Sequence, residues 1–251
     1  MSEVARLFGA RADGYASFRP HYPDALFAWL AQHSPARQRA LDIACGSGQA
    51  SVPLTRHFTQ VLGSDSSIEQ LSTADSTRIA VFVAQAEAQP LPDASLDTIV
   101  VAQALHWFAT PAFFGEAERL LKPRGLFCAW CYGLLRIDSE LDALIDDFYS
   151  HTLGDYWPAG RSSVDAGYRD IASPFASLVP PPLAIEANWD LPHLLGYLRT
   201  WSAVQRWERE HGRDPVAELA PRLRDAWGDI NAPRFIRWPL HFLAGKQKQV
   251  V

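Results

Sequence analysis

Lysine and cysteine are the scarce residues of this 251-residue chain. It has three lysines (Lys122, Lys246, Lys248) against 20 arginines, and three cysteines (Cys45, Cys128, Cys131). Three cysteines cannot build a disulfide framework, so the expected compartment is a reducing cytoplasm. The lysine shortage beside abundant arginine fits the base composition of a GC-rich bacterial genome. A net charge of −5 argues against a dedicated polyphosphate binder. No apolar run approaches the ~20 residues that cross a bilayer, and the opening MSEVARLFGARADGY has no apolar signal core. With 20 % charged and 48 % hydrophobic residues the chain is too apolar to be disordered. It is long enough for one sizeable domain over 1–251. What is plentiful is tryptophan: nine, of which Trp157, Trp189, Trp201, Trp207, Trp227 and Trp238 lie beyond residue 150.

Residues 39–132 alternate strand and helix. Strands are expected over 39–44, 59–65, 79–84, 96–104 and 126–132, with apolar centres that fit burial on both faces. Helices are expected over 50–58 and 67–74. Another starts where Thr110 caps before Pro111 and stops at Lys122-Pro123-Arg124-Gly125. This pattern predicts a parallel α/β sheet with right-handed crossovers. Residues 1–38 read as an N-terminal helical cap, and 133–182 and 190–232 as helical lid or substrate region, including one long helix over 191–211. Strands six and seven fall at 183–189 and 235–243. Pro239 inside the last argues for an edge strand or a bulge. The proline-rich 173–182 reads as a loop. The expected fold is seven-stranded and mostly parallel, with the last strand antiparallel and helical insertions after strands five and six.

The chemistry concentrates at Leu41–Gln49, LDIACGSGQ. A strand ends in an acidic residue, a Gly-x-Gly turn follows and a helix begins. Asp65 ends the next strand, where a carboxylate accepts hydrogen bonds from both ribose hydroxyls. Together they predict an adenosine-containing ligand at the carboxyl edge of the sheet. A dinucleotide-binding oxidoreductase wants a third glycine at the helix start; Ser51 stands there, and no Tyr-x-x-x-Lys pair exists. S-adenosylmethionine carries an ammonium and a sulfonium instead of a pyrophosphate, and Asp42 suits the ammonium electrostatically.

These segments resemble the class I S-adenosylmethionine-dependent methyltransferases, of the type 11 and trans-aconitate methyltransferase-like group, over nearly the whole chain. The matching pieces are Ala12–Tyr15, Arg19–Pro23, LDIACGSGQ, Gly63–Ser67, the loop Ala86–Asp97, Gln103–Phe108 with its His-Trp pair, and Leu120–Gly125. Ala44, Gln85 and Arg124 depart from the group's pattern; the extra methyl of Ala44 is expected to be harmless. The resemblance implies that Gly46 and Gly48, with Ala44, wrap the methionine moiety. It implies that Ser66 accompanies Asp65 at the ribose, that Ala86 and Glu87 edge the adenine, and that Gln103 and Ala104 offer backbone groups to the methionine end. Tyr15 and Arg19 would close over the cofactor.

Methyl transfer is an in-line displacement that needs alignment and dryness more than acid–base chemistry. A carboxylate acceptor needs no base at neutral pH, whereas a phenol or alcohol gains from one. His106, just past strand four, is the candidate base or substrate contact. The resemblance puts the substrate pocket in the late segments. Candidate wall residues are Trp107, Tyr132, Tyr149, Tyr156, Trp157, Trp201 and Trp207, with Arg161, Arg199 and Arg206 as carboxylate holders. Trp189 and Trp238 read as core. Cys128 and Cys131 point to opposite faces of a strand, so their C-x-x-C reads as packing. No His spacing suggests a metal, and no basic aromatic groove suggests nucleic acid. The reading is a small-molecule methyltransferase acting at an oxygen. The alternatives are a non-catalytic S-adenosylmethionine-binding protein and, further off, an NAD(P)-dependent oxidoreductase.

Overall fold

The computed structural model describes residues 20–248; Tyr15 and Arg19 lie outside them. Helix α1 (Asp24–His33) leads to β1 (Arg39–Ile43), α2 (Ser51–Leu54), β2 (Gln60–Asp65), α3 (Ile68–Leu71), β3 (Ala80–Val83) and β4 (Leu96–Ala102). A 3₁₀ turn over Leu105–Trp107 precedes α4 (Pro111–Leu120) and β5 (Leu121–Tyr132). Then come α5 (Ser139–Asp147), a π-helical turn over Phe148–Thr152 and α6 (Arg161–Asp165). The chain closes with β6 (Ala176–Ser177), β7 (Ala184–Trp189), α7 (Leu191–Arg199), α8 (Ser202–His211), α9 (Pro215–Trp227) and β8 (Arg234–Lys246).

The sheet runs β3-β2-β1-β4-β5-β8-β6, with β7 also on β8. Strands β1 to β5 pair in parallel, and β8 alone runs against its neighbours. The pleat sorts β5 between two cores. Leu126, Cys128, Trp130 and Tyr132 join the helices α1, α5 and α7 on one face. Phe127, Ala129 and Cys131 join α4 on the other, where Phe113, Phe114, Ala117 and Leu120 form one apolar stripe. The two thiols therefore do face opposite ways.

Side-chain caps set the helix starts. Thr110 accepts from the Phe113 amide ahead of Pro111, Asp190 from His193, and Asp214 from Val216 ahead of Pro215. Three expectations need correction. The sheet has eight strands, because Ala176–Ser177 in the proline-rich loop pairs with Gly245–Lys246. The helix expected over 191–211 breaks at Trp201, whose extended backbone lets its ring pack on Phe148, Tyr149, Trp157 and Tyr197. Pro239 sits inside the sheet without a bulge. The β5 pairing ends at Tyr132↔Leu240 and resumes at Arg136↔Arg237, so its missing N–H falls in the gap between them.

One buried carboxylate ties the base of the sheet together. Asp97, fully buried at the start of β4, accepts from Lys122 Nζ at 2.7 Å and from the Gln38 and Arg39 amides at 2.8 Å each. Burial opposes its ionisation, but Lys122 and the two amides outweigh it and hold the carboxyl below its ordinary range. Asp97→Ala leaves two part-buried amides unpaired at about 1–3 kcal/mol each. Urea denaturation should show a loss of roughly 2–4 kcal/mol, and an unchanged midpoint would refute this role.

Candidate active site

A cavity of about 360 Å³ opens at the carboxyl edge of β1 to β4, within the roughly 300–1,000 Å³ usual for cofactor sites. It lies where β1 is flanked by β2 on one side and β4 on the other, the switch point at which crossovers diverge. Ala44, Cys45, Gly46 and Ser47 line it from the β1 loop, Asp65 and Ser66 from the end of β2, and Gln85, Ala86 and Glu87 from beyond β3. Gln103, Ala104 and Trp107 follow β4, and Tyr132 ends β5.

The loop is held by the acid that ends β2. Asp65 accepts from the Gly46 amide at 3.0 Å and from the Ser67 amide at 2.9 Å, one on each oxygen. Burial pushes its carboxyl up, against the pull of those amides. A carboxylate has about four acceptor positions, so these amides do not exhaust what Asp65 can offer ligand hydroxyls. Gly46 takes φ +53°, a left-handed turn that glycine adopts at little cost. Ala44 (φ +57°) and Gln103 (φ +58°) take left-handed turns without being glycine, at roughly 1–2 kcal/mol each. The methyl of Ala44 is thus a source of strain, not the harmless addition expected. These features fit an adenosine ligand: an acid at the ribose position, backbone exposed at the loop, and apolar edges at Ala86 and Ala104.

Two expected cofactor contacts lie behind the wall. Asp42 is 0 % exposed. The pleat turns it to the Ala40 face, under α2, where Ser51 Oγ donates to it at 2.5 Å, so it does not meet a ligand ammonium directly. Its other oxygen has no partner among the described residues. Burial, helped by the nearby Asp65 charge and opposed by Ser51, pushes its pKa up to about 7. Gly48 also stands behind the loop, its amide closing a turn onto the Cys45 carbonyl.

A second cavity of about 90 Å³ adjoins the first; Gln103, Trp107 and Tyr132 line both. His106, Leu134, Trp157, Arg161, Tyr197 and Trp201 are among its other walls. The Arg161 guanidinium lies 4.6 Å over Trp157 and 5.1 Å over Tyr149. Its Nε donates to Tyr149 Oη at 2.6 Å and to Asp165 at 3.2 Å. Tyr149 donates to Asp165 in turn. His106 Nδ1 meets Tyr168 Oη at 3.2 Å, which leaves Nε2 for a ligand. Burial first, and the Arg161 charge second, hold the imidazole down at about 4, so it is neutral at physiological pH. Gly160, at φ +88°, lets α6 press on this turn: a Cβ there would stand 2.8 Å from the His106 carbonyl.

Tyr149 therefore stands one layer behind the wall, holding Arg161. Arg206, Tyr156 and Trp207 line neither cavity, and Arg199 is paired with Asp214 at 2.8 Å. Tyr197, which carries no motif of its own in the sequence, is in the wall, on α7 and packed against Trp201 just past that helix's end. Tyr22 of the Arg19–Pro23 segment also lines the first cavity. Among the described residues no cluster of His, Cys, Asp and Glu is placed to hold a metal ion. No helix there is long and apolar enough to cross a membrane.

Asp42 makes stability depend on pH. Its folded pKa is raised, so the folded state holds a proton that the unfolded chain releases. The contribution is full below about pH 4 and is lost as pH rises through about 7. The urea-midpoint advantage of Asp42→Asn over the native protein should grow from about pH 4 and level off above about 7. A constant advantage across that range would refute the raised pKa.

A family model described as a methyltransferase domain matches residues 41–129, from β1 into β5. A Dictyostelium discoideum protein named as a methyltransferase is 34 % identical over 249 residues, 96 % of this chain and 95 % of that one. A Saccharomyces cerevisiae protein named as an S-adenosylmethionine-dependent methyltransferase is 29 % identical over 128 residues, 47 % of this chain but only 44 % of that one. A solved structure from Anaeromyxobacter dehalogenans, described as a type II methyltransferase, is 45 % identical. It superposes with a TM-score of 0.86 over 92 % of this chain and 99 % of that one. With the glycine loop, the acid ending β2 and the sheet order already in place, the chain belongs to the class I S-adenosylmethionine-dependent methyltransferases.

Proposed function

We propose that the protein methylates an oxygen of a small anionic molecule, a carboxylate in the first instance. Arg161 carries this reading. It is the cation in the wall of the second cavity, its side chain is 19 % exposed, and only its Nε is engaged by protein acceptors among the described residues. A guanidinium with both terminal nitrogens open is suited to a bidentate carboxylate. The aromatic walls fit an acceptor with a flat or apolar body.

S-adenosylmethionine, when bound, supplies a methyl group on positively charged sulfur. In this reading Asp65 and Ser66 hold its ribose, Ala86 and Glu87 edge its adenine, and Ala44, Gly46, Gln103 and Ala104 surround its methionine end. Trp107 and Tyr132 stand in the wall the two cavities share, and Trp157 and Trp201 exclude water from the acceptor. His106 is a hydrogen-bonding contact rather than a base, because a carboxylate has no proton to lose and an imidazole with a pKa of about 4 is a weak acceptor. Three buried free thiols (Cys45, Cys128, Cys131) support a reducing compartment such as the cytoplasm.

Incubation of the enzyme with methyl-labelled S-adenosylmethionine and metabolite extracts tests the acceptor. The label should enter an acidic small molecule and leave as methanol on alkali treatment. Alkali-stable label would exclude a carboxylate. Binding of the cofactor with no labelled product in any extract would favour a non-catalytic binding protein. Arg161→Ala should slow transfer by about 30-fold or more, from the loss of charge-assisted hydrogen bonds. The rate should show no acid limb between pH 6 and 7, since His106 is already neutral there. A limb near 6.5 that vanished in His106→Gln would restore it as the base.

Calorimetry tests the cofactor end separately. Asp65→Ala should weaken S-adenosylmethionine binding by about tenfold or more, the worth of a hydrogen bond to a charged group. Unchanged affinity would refute the ribose assignment.

A further inference from the structure

Gln103 bears a feature that ligand binding does not explain. Its backbone is left-handed although the residue is not glycine, and such a conformation persists only where the surroundings over-determine it. Here they do. The Gln103 amide donates to the Trp130 carbonyl at 2.8 Å. The side chain then exchanges a reciprocal pair with the Tyr132 backbone: Nε2 donates to the Tyr132 carbonyl, and the Tyr132 amide donates to Oε1, each at 2.9 Å. The regular β4–β5 ladder ends at Ala102↔Trp130. The glutamine side chain thus does what the next residue of β4 would have done, while the backbone turns away into the 3₁₀ turn that carries His106 and Trp107.

This arrangement engages one donor and one acceptor position of the side-chain amide and so fixes its orientation. Gln103, Trp107 and Tyr132 are the residues that line both cavities, so the clamp sits in the wall the two share. We infer that Gln103 is a positioning residue for methyl transfer. It ties the end of β5 to the turn after β4 and so fixes Tyr132 and Trp107 relative to each other, and its side chain binds neither cofactor nor acceptor. The inference rests on the methyl-transfer reading for its effect on rate, but not for the clamp itself.

Two variants separate clamp from strain. Gln103→Met keeps the length and loses both side-chain hydrogen bonds, with the left-handed strain retained. Gln103→Gly loses the hydrogen bonds and the strain together. The Gly variant should therefore be the more stable of the two, and it keeps the test open if the Met variant fails to fold. In both, hydrogen exchange at the Tyr132 amide should speed up by about tenfold or more, with the Gly46 amide unchanged. S-adenosylmethionine affinity by calorimetry should fall by less than the transfer rate does. Transfer of labelled methyl into the extract fraction labelled by the native enzyme, at saturating cofactor, should fall by about tenfold or more, as expected when reacting groups lose alignment. Unchanged exchange at Tyr132 would refute the clamp. Released Tyr132 with an undiminished transfer rate would refute the positioning role. A large loss of cofactor affinity without release of Tyr132 would make Gln103 a cofactor contact instead. If the native enzyme labels no extract, exchange and calorimetry still decide the clamp, and the failure then belongs to the proposed function.

Discussion

The site depends on one topological constraint: β1 and β4 are adjacent, parallel and buried on both faces, yet their continuations leave in opposite directions. The chain after β1 returns through β2 on one side, while β4 hands on to β5 on the other. Neither strand can shift to widen the gap, because Leu41 and Ile43 of β1 and Ile99, Val100 and Val101 of β4 are fully packed. The separation has to be made by backbone turning within one or two residues of each strand end. Ala44 and Gln103 are those residues, and both have left-handed backbones. The strain lies where the cavity forms, and it is offset by bonds that close on the same spot: Asp65 on Gly46 from one side, Tyr132 on Gln103 from the other.

The same burial sets the charges around the cavities. Asp42 and Asp65 lie close enough for one to raise the pKa of the other. Asp42 sits deep with a single hydroxyl donor, whereas Asp65 reaches the loop and collects backbone amides. Burial raises both carboxyls, Asp42 to about 7, and the hydrogen bonds each accepts oppose it. At the other end burial, and after it the Arg161 guanidinium, keep His106 neutral. Tyr149 and Asp165 brace the Arg161 Nε, and two rings lie beneath its guanidinium. The result is an acid at one end and a cation at the other, with neutral aromatic walls between.

The cofactor half was legible in the sequence because its determinants are local. A strand, a Gly-x-Gly turn and an acid at the end of the next strand follow from backbone geometry within 25 residues; Ala86, Glu87, Gln103 and Ala104 were implied by the family resemblance instead, and they line the same cavity as Ala44, Gly46, Asp65 and Ser66. Asp42 and Gly48 do not line the cavity, because the motif gives position along the chain, while the pleat and the turn decide which side faces the ligand. The substrate half was less legible because its residues come from four separate segments. Trp157 and Trp201 belong to the wall and Trp207 does not, a distinction that depends on where the 191–211 helix breaks. The short strand Ala176–Ser177 carries no pattern of its own; it exists because β8 is long enough to offer it a partner.

The tryptophan-rich second half then serves two different purposes in one cluster. Trp189, Trp238 and Tyr197 pack ring against ring at 4.9–5.6 Å, under the sheet edge. Tyr197 also touches Trp201 at 6.0 Å, and Trp201 touches Trp157 at 5.6 Å. A continuous run of rings therefore leads from the fully buried core at Trp238 to the cavity wall at Trp157, where Arg161 lies on the last of them. Rigid rings lose little conformational freedom when they meet a ligand, unlike long flexible side chains. Anchoring the run in the core gives the wall a fixed shape before any acceptor arrives, which is what a reaction that depends on alignment requires. Dryness follows from the same packing. Where a cationic donor and an anionic acceptor cancel charge, a low-dielectric wall strengthens their attraction. In the proposed reaction the rings therefore supply alignment and a low dielectric together, with Arg161 as the charged anchor.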